Sequence, residues 1–104
     1  MEMIEQIERI SKMEANLTDA SQAIIELSVA IEKYAEVLPA VRELNEYLGS
    51  EDWFSDRDAD DAGELPADLS RGVLSEDGIW NVLDDSRQLN IRLLEVAAEF
   101  LKQM

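Results

Sequence analysis

Apolar residues recur along the first half of the chain at alternating steps of three and four. They are Ile10, Met13, Leu17, Ala20, Ile24, Leu27, Ile31, Tyr34, Leu38 and Val41, then Asn45 breaks the pattern, then Leu48 resumes it. This spacing is a heptad-like stripe on one side of a helix, sustained across more than five repeats. Ile4 and Ile7 extend it backward with a small change of face, and charges fill the other positions, as on a solvated helix surface. Glu5–Arg9 and Glu8–Lys12 sit four residues apart and support the helix, whereas Glu32–Glu36 opposes it. Pro39 falls inside the stripe. A proline there removes a hydrogen bond, clashes with the preceding turn and pushes Leu38 out of the helical region. The pattern therefore predicts a long helix over about residues 2–38, a kink or tight break, and a short helix over about 40–48 that Pro39 opens. A helix of ~37 residues would be ~55 Å long, which points to a hairpin or a dimer.

Gly49-Ser50 marks the stop of this helical half. Residues 49–74 are rich in turn formers, with Gly49, Gly63, Pro66 and Gly72. Residues 51–64 also hold seven acids (Glu51, Asp52, Asp56, Asp58, Asp60, Asp61, Glu64) against one base, Arg57. We read 49–74 as an ordered acidic loop, because a connection of this length in a small domain is usually functional. Trp53, Phe54, Leu65, Leu69, Val73 and Leu74 pin it to the helices. The last helix is expected over about 76–103, with Ser75 as N-cap, Glu76 and Asp77 in the first turn and Lys102 in the last. Gly78 stands where a capping-box glutamate is usual. The apolar face reads Ile79, Val82, Leu83, Leu89, Leu93, Val96, Ala97, Phe100 and Met104, with Ser86 and Asn90 as weak points. No stretch carries a strand pattern or an internal repeat. The expected fold is all-α: one domain, residues 1–104, an antiparallel helical bundle or hairpin.

Composition narrows the chemistry. The 104 residues include 24 acids and 9 bases, for a net charge of −15, with 46% hydrophobic residues. Such a chain folds rather than staying disordered. It repels nucleic-acid phosphates and anionic membranes, so no direct nucleic-acid or membrane partner is expected. Cys and His are both absent. Zinc sites, Cys nucleophiles, His-based triads and a disulfide framework are thereby excluded. The N-terminus lacks the basic and apolar regions of a signal peptide, and no stretch reaches the ~18 apolar residues of a membrane span. A cytoplasmic location is the expectation.

Four candidate sites arise from the residues. Asp56, Asp58 and Asp60 alternate as ligands 1, 3 and 5 of a calcium loop do, but position 6 is Asp61 instead of Gly and position 12 is Ala67 instead of Glu. They are weak metal candidates, beside the reading of a solvated acidic loop that caps its neighbours. Glu5/Glu8, Glu43/Glu46 and Asp58/Asp61 have the three-residue spacing of magnesium-dependent helical nucleotide hydrolases. Pairs of that kind arise by chance in so acidic a chain, and no basic cluster or Gly-rich loop is present to hold phosphate. Dense carboxylates also resemble the phosphate track that a nucleic-acid mimic presents to a DNA-binding protein, although here the acids are interspersed with bases. Trp53, Phe54 and Trp80 are either an exposed recognition patch or anchors of the loop to the core, the commoner role. Arg71 is expected to pair with Asp68 or Asp77.

One segment, "YLGSEDWFSDRDADDAGELPADLSRGVLSEDGIWNVL" at 47–83, resembles a family of small bacterial proteins known as domain of unknown function 4298. The resemblance rests on Glu5 to Ile10, Tyr47, Gly49, Ser50, Trp53, Asp56, Asp60, Ala62, Gly63, Leu65, Pro66, Asp68, Leu69 and Arg71 through Asp77. Leu48 departs from the family's second Tyr, and Ser70 from a common Lys. The resemblance implies a bacterial origin and a helical fold and brings no activity with it. It also implies a loop of defined shape, since solvation alone would not require Trp53, Gly63-x-Leu65-Pro66 and Arg71-Gly72 together.

The expected function is a non-enzymatic protein–protein interaction or regulatory module, with no catalytic residues and no cofactor. Its partner is another protein with a basic or apolar surface, or a second copy in a homodimer. The alternatives are an acidic mimic that blocks a DNA-binding protein, and a divalent-cation-binding protein or carboxylate-based nucleotide hydrolase. The residues expected to form the interaction or structural loop are Trp53, Phe54, Asp56, Asp60, Gly63, Leu65, Pro66, Arg71, Gly72 and Trp80.

Overall fold

A computed structural model describes all residues from Met1 to Met104. Three helices carry the chain: α1 over Glu2–Tyr47, α2 over Glu51–Asp61 and α3 over Glu76–Gln103. A 3-10 turn over Gly72–Leu74 precedes α3, and no strand occurs. The all-α class read from the 3.6-residue periodicity is therefore correct. By contacts the chain divides into two compact units, Met1–Leu38 and Pro39–Met104.

The first difference from expectation lies at Pro39, which sits inside α1 without ending it. The separate helix expected over 40–48 is the C-terminal part of α1. A mid-helix proline costs about 3 kcal/mol, so the turns beyond it need support from packing. Val41, Leu44, Tyr47 and Leu48 supply it: all four are half-buried, whereas every residue from 1 to 33 is exposed. Gly49 then ends the helix with φ +79°, a value at which a Cβ would be strained.

The second difference is larger. The acidic part of the segment read as an ordered loop over 49–74 forms helix α2, Glu51–Asp61. Ser50 starts it, and its hydroxyl serves two helices at once. It donates to the Tyr47 carbonyl at 2.6 Å, which the Ser50 backbone N–H also reaches at 3.0 Å, and accepts from the Trp53 amide at 3.1 Å. Glu51 and Asp52 occupy the first turn, where the helix dipole favours acids. The far end closes in a Schellman motif, with Glu64 N–H on the Ala59 carbonyl and Gly63 N–H on the Asp60 carbonyl, both 3.0 Å. Gly63 takes φ +71° to permit it.

The 3-10 turn is the hub of the second unit: α2 and α3 both pack against it. The core is small, with only Trp53 and Ile79 fully buried. Ser75 stands at the N-cap of α3 as expected, but its side chain makes no capping bond. Its backbone N–H bonds the Gly72 carbonyl at 3.3 Å instead. Gly78 is required by this approach, because a Cβ there would collide with the Gly72 carbonyl.

Candidate functional site

A cluster of interacting polar and aromatic side chains in the second unit gathers along α2. Trp53 and Arg57 are four residues apart, and Asp60 follows three later, which places all three on one face of the helix. Trp53 points inward, and its indole N–H donates to the Val73 carbonyl at 2.9 Å. Burial of so large a ring obliges its polar atom to find a partner, and the 3-10 turn provides one. Phe54 meets Trp53 edge-on, with ring centres 5.0 Å apart at 76°. The Arg57 guanidinium lies 5.2 Å from the centre of the Trp53 ring, in cation–π range, and donates to Glu76 Oε1 at 3.2 Å. It thereby ties α2 to the first turn of α3.

Two further polar bonds fasten α2 on either side. Arg71 donates to Asp60 Oδ1 at 2.7 Å and reaches the Ala67 carbonyl at 3.4 Å. The expected pairing of Arg71 with Asp68 or Asp77 is thus replaced by a pairing with Asp60. A helical α2 presents Asp60 to the turn, which an extended loop had no reason to do. Tyr47, in the last turn of α1, donates its hydroxyl to Asp56 Oδ2 at 2.6 Å. That hydrogen bond, together with partial burial and the charges of Asp56 and Asp52, pushes the phenol up to about 12. The phenol stays protonated at neutral pH and acts as a donor.

The candidate cation ligands do not converge. Successive helical residues turn by about 100°, so Asp58 projects roughly 200° away from Asp56 and from Asp60. Asp56 and Asp60 are already engaged by Tyr47 and Arg71. Nowhere do three or more acids gather closely enough to hold a metal ion. Of the expected loop residues, Trp53, Asp56, Asp60 and Arg71 come together in the clamp around α2. Leu65 is half-buried, and Pro66 accepts from Leu69 N–H at 3.2 Å in the turn that follows. Gly63 and Gly72 serve the backbone geometry described above. Phe54 and Trp80 keep 54% and 58% of their surface exposed, so Trp80 does not anchor the segment.

Sequence reasoning missed Arg57 and Tyr47 as members of the clamp. Arg57 had a signal: it is the single base among seven acids and lies four residues after Trp53. Tyr47 had none, because its partner is nine residues away across a helix break. The site is a helical node held by polar contacts, with both arginines and two aspartates spent on holding it.

An all-α chain with an amphipathic N-terminal helix and a tryptophan-centred node is the class these features define. The family model described as domain of unknown function (DUF4298) matches residues 10–96, and the chain belongs to that family. No match is found among curated proteins or among solved structures. No helix is long and apolar enough to cross a membrane.

Proposed function

We propose that this chain is a non-enzymatic protein–protein interaction module, and that its apolar helix faces are what it presents. One observation carries the reading. Ile4, Ile7, Ile10, Met13, Leu17, Ile24 and Leu27 of α1 each keep more than half of their surface exposed, while only two side chains of the whole chain are fully buried. Contiguous apolar surface beyond a few hundred Å² marks an interaction site on a soluble protein. The polar node supports the same reading, because Asp56, Arg57, Asp60 and Arg71 are engaged in holding the fold.

The test is capture from a cell lysate by the full chain, compared with capture by a Leu17→Asp/Leu27→Asp variant. Capture lost in the variant supports the apolar face as the binding surface. Capture that survives the variant but disappears in high salt, with basic DNA-binding proteins recovered, would replace this reading by acidic mimicry. Turnover of nucleoside triphosphates that is lost in Glu43→Gln would overturn the non-enzymatic assignment.

A further inference from the structure

We infer that α1 pairs with α1 of a second copy of this chain, parallel and in register, along the seam from Ile10 to Leu38. The inference rests on the interaction reading above and names its partner. In heptad terms, Ile10, Leu17, Ile24, Ile31 and Leu38 take position a, and Met13, Ala20, Leu27 and Tyr34 take position d. From Ile10 to Ile31 the large side chains of this seam keep between 46% and 67% of their surface exposed. A single helix within the unit Met1–Leu38 has no other element of that unit to cover it.

Three features select a second copy over an unrelated surface. The first is period. A straight helix drifts about 20° per heptad against a strict seven-residue repeat, so over four heptads the stripe winds by about 80° around α1. A partner that follows it throughout must be a helix that supercoils with the same repeat.

The second feature is charge. A chain of net charge −15 should repel itself. Yet of the five acids between residues 10 and 38, four (Asp19, Glu26, Glu32 and Glu36) fall on the outer positions b, c and f, and only Glu14 flanks the seam. The flanking positions e and g are Glu14, Ser21, Ser28 and Ala35, and Arg9, Asn16, Ala23, Ala30 and Val37. Paired helix axes lie about 8–10 Å apart, and the outward faces lie farther apart than that. Repulsion between them is therefore screened at a Debye length of ~8 Å.

The third feature is orientation. In a parallel pair, Arg9 at g faces Glu14 at the following e position of the partner helix, which gives two opposite-charge contacts per dimer. In an antiparallel pair with matched layers, Arg9 faces Val37 and Glu14 faces Ser28, and both contacts are lost.

The chain contains no cysteine, so introduced thiols report the pairing cleanly. Sedimentation of the full chain is expected to give twice the 11.8 kDa of one copy. Under mild oxidation Met13→Cys is expected to form a disulfide-linked dimer, since position 13 faces itself. Arg9→Glu is expected to weaken the dimer, and Arg9→Glu/Glu14→Arg to restore it. Leu17→Asp/Leu27→Asp is expected to give the single-chain mass with the tryptophan fluorescence, measured in a Trp80→Phe background so that it reports Trp53, unchanged, which separates loss of pairing from unfolding of the second unit. A dimer in which Met13→Cys crosslinks only with Ile31→Cys chains is antiparallel and overturns the proposal, as does a dimer that survives the double aspartate variant. A chain that sediments as a monomer while remaining helical overturns it too. If that monomer still captures a different protein through the same seam, the interaction reading stands; if it captures nothing, both fall.

Discussion

Gly78 and Tyr47 show how single residues set the geometry of the second unit. An alanine at 78 would gain about 1 kcal/mol of helix propensity. It would also drive a methyl group into the Gly72 carbonyl, which cannot swing away without disturbing its bond to the Ser75 amide. Overpacking against backbone costs about 1–3 kcal/mol, so Gly78→Ala is expected to lower stability by roughly 1 kcal/mol net. An increase in denaturation midpoint would refute the close approach. Tyr47 supplies a pH signature. Its phenol is raised from the ordinary 10 to about 12 by the hydrogen bond to Asp56. A folded-state value above the unfolded one means that the stabilisation is fully present below pH 10 and is lost as the pH rises from about 10 to about 12. Tyr47→Phe is expected to be less stable at neutral pH and to lose less stability over that alkaline window. Parallel alkaline profiles for the two proteins would show that the hydrogen bond carries no such energy.

At the scale of elements, the lesson of α2 is that caps outweighed composition. The seven acids and the flanking glycines read as a loop, because Asp has low helix propensity and Gly reads as a breaker. The same residues carry the opposite message position by position. Gly49 is the C′ residue of one helix, Ser50 the N-cap of the next, Glu51 and Asp52 its first turn and Gly63 its C′ residue. Gly49 reads as a helix stop from the sequence alone, whereas composition assigns Ser50, the first-turn acids and Gly63 to a loop. A consequence is measurable: helix α2 splays Asp56 from Asp58, so calcium or magnesium titration is expected to give no saturable heat. Saturable binding near one equivalent would mean that α2 unwinds to form a site. Pro39 is the converse case, where a strong local signal lost to packing. Pro39→Ala restores the missing amide donor and removes the ring clash, so it is expected to raise stability by about 1–3 kcal/mol. A lower melting temperature would show that the proline shapes α1 in a way the rest of the chain depends on.

For the whole molecule, the division at Leu38/Pro39 separates two sources of stability. The second unit owns the buried Trp53 and Ile79 and the polar clamp around them. The first is one helix, and an isolated helix is marginal in water unless its apolar face is covered. Hydrogen exchange on the full chain is therefore expected to lose protection over residues 10–38 on dilution, while the amides around Trp53 and the 3-10 turn keep theirs. Loss of both together at one concentration would contradict independent units. The periodicity of α1 and α3, the all-α class and the missing catalytic residue types followed from the sequence alone, because helical period and residue chemistry are local properties. The clamp did not follow. Tyr47 with Asp56, Arg71 with Asp60 and Trp53 with the Val73 carbonyl join residues 9, 11 and 20 positions apart. Such pairings exist only once α2 has formed and docked against the 3-10 turn, so tertiary structure alone decided which acids of the central segment hold the fold.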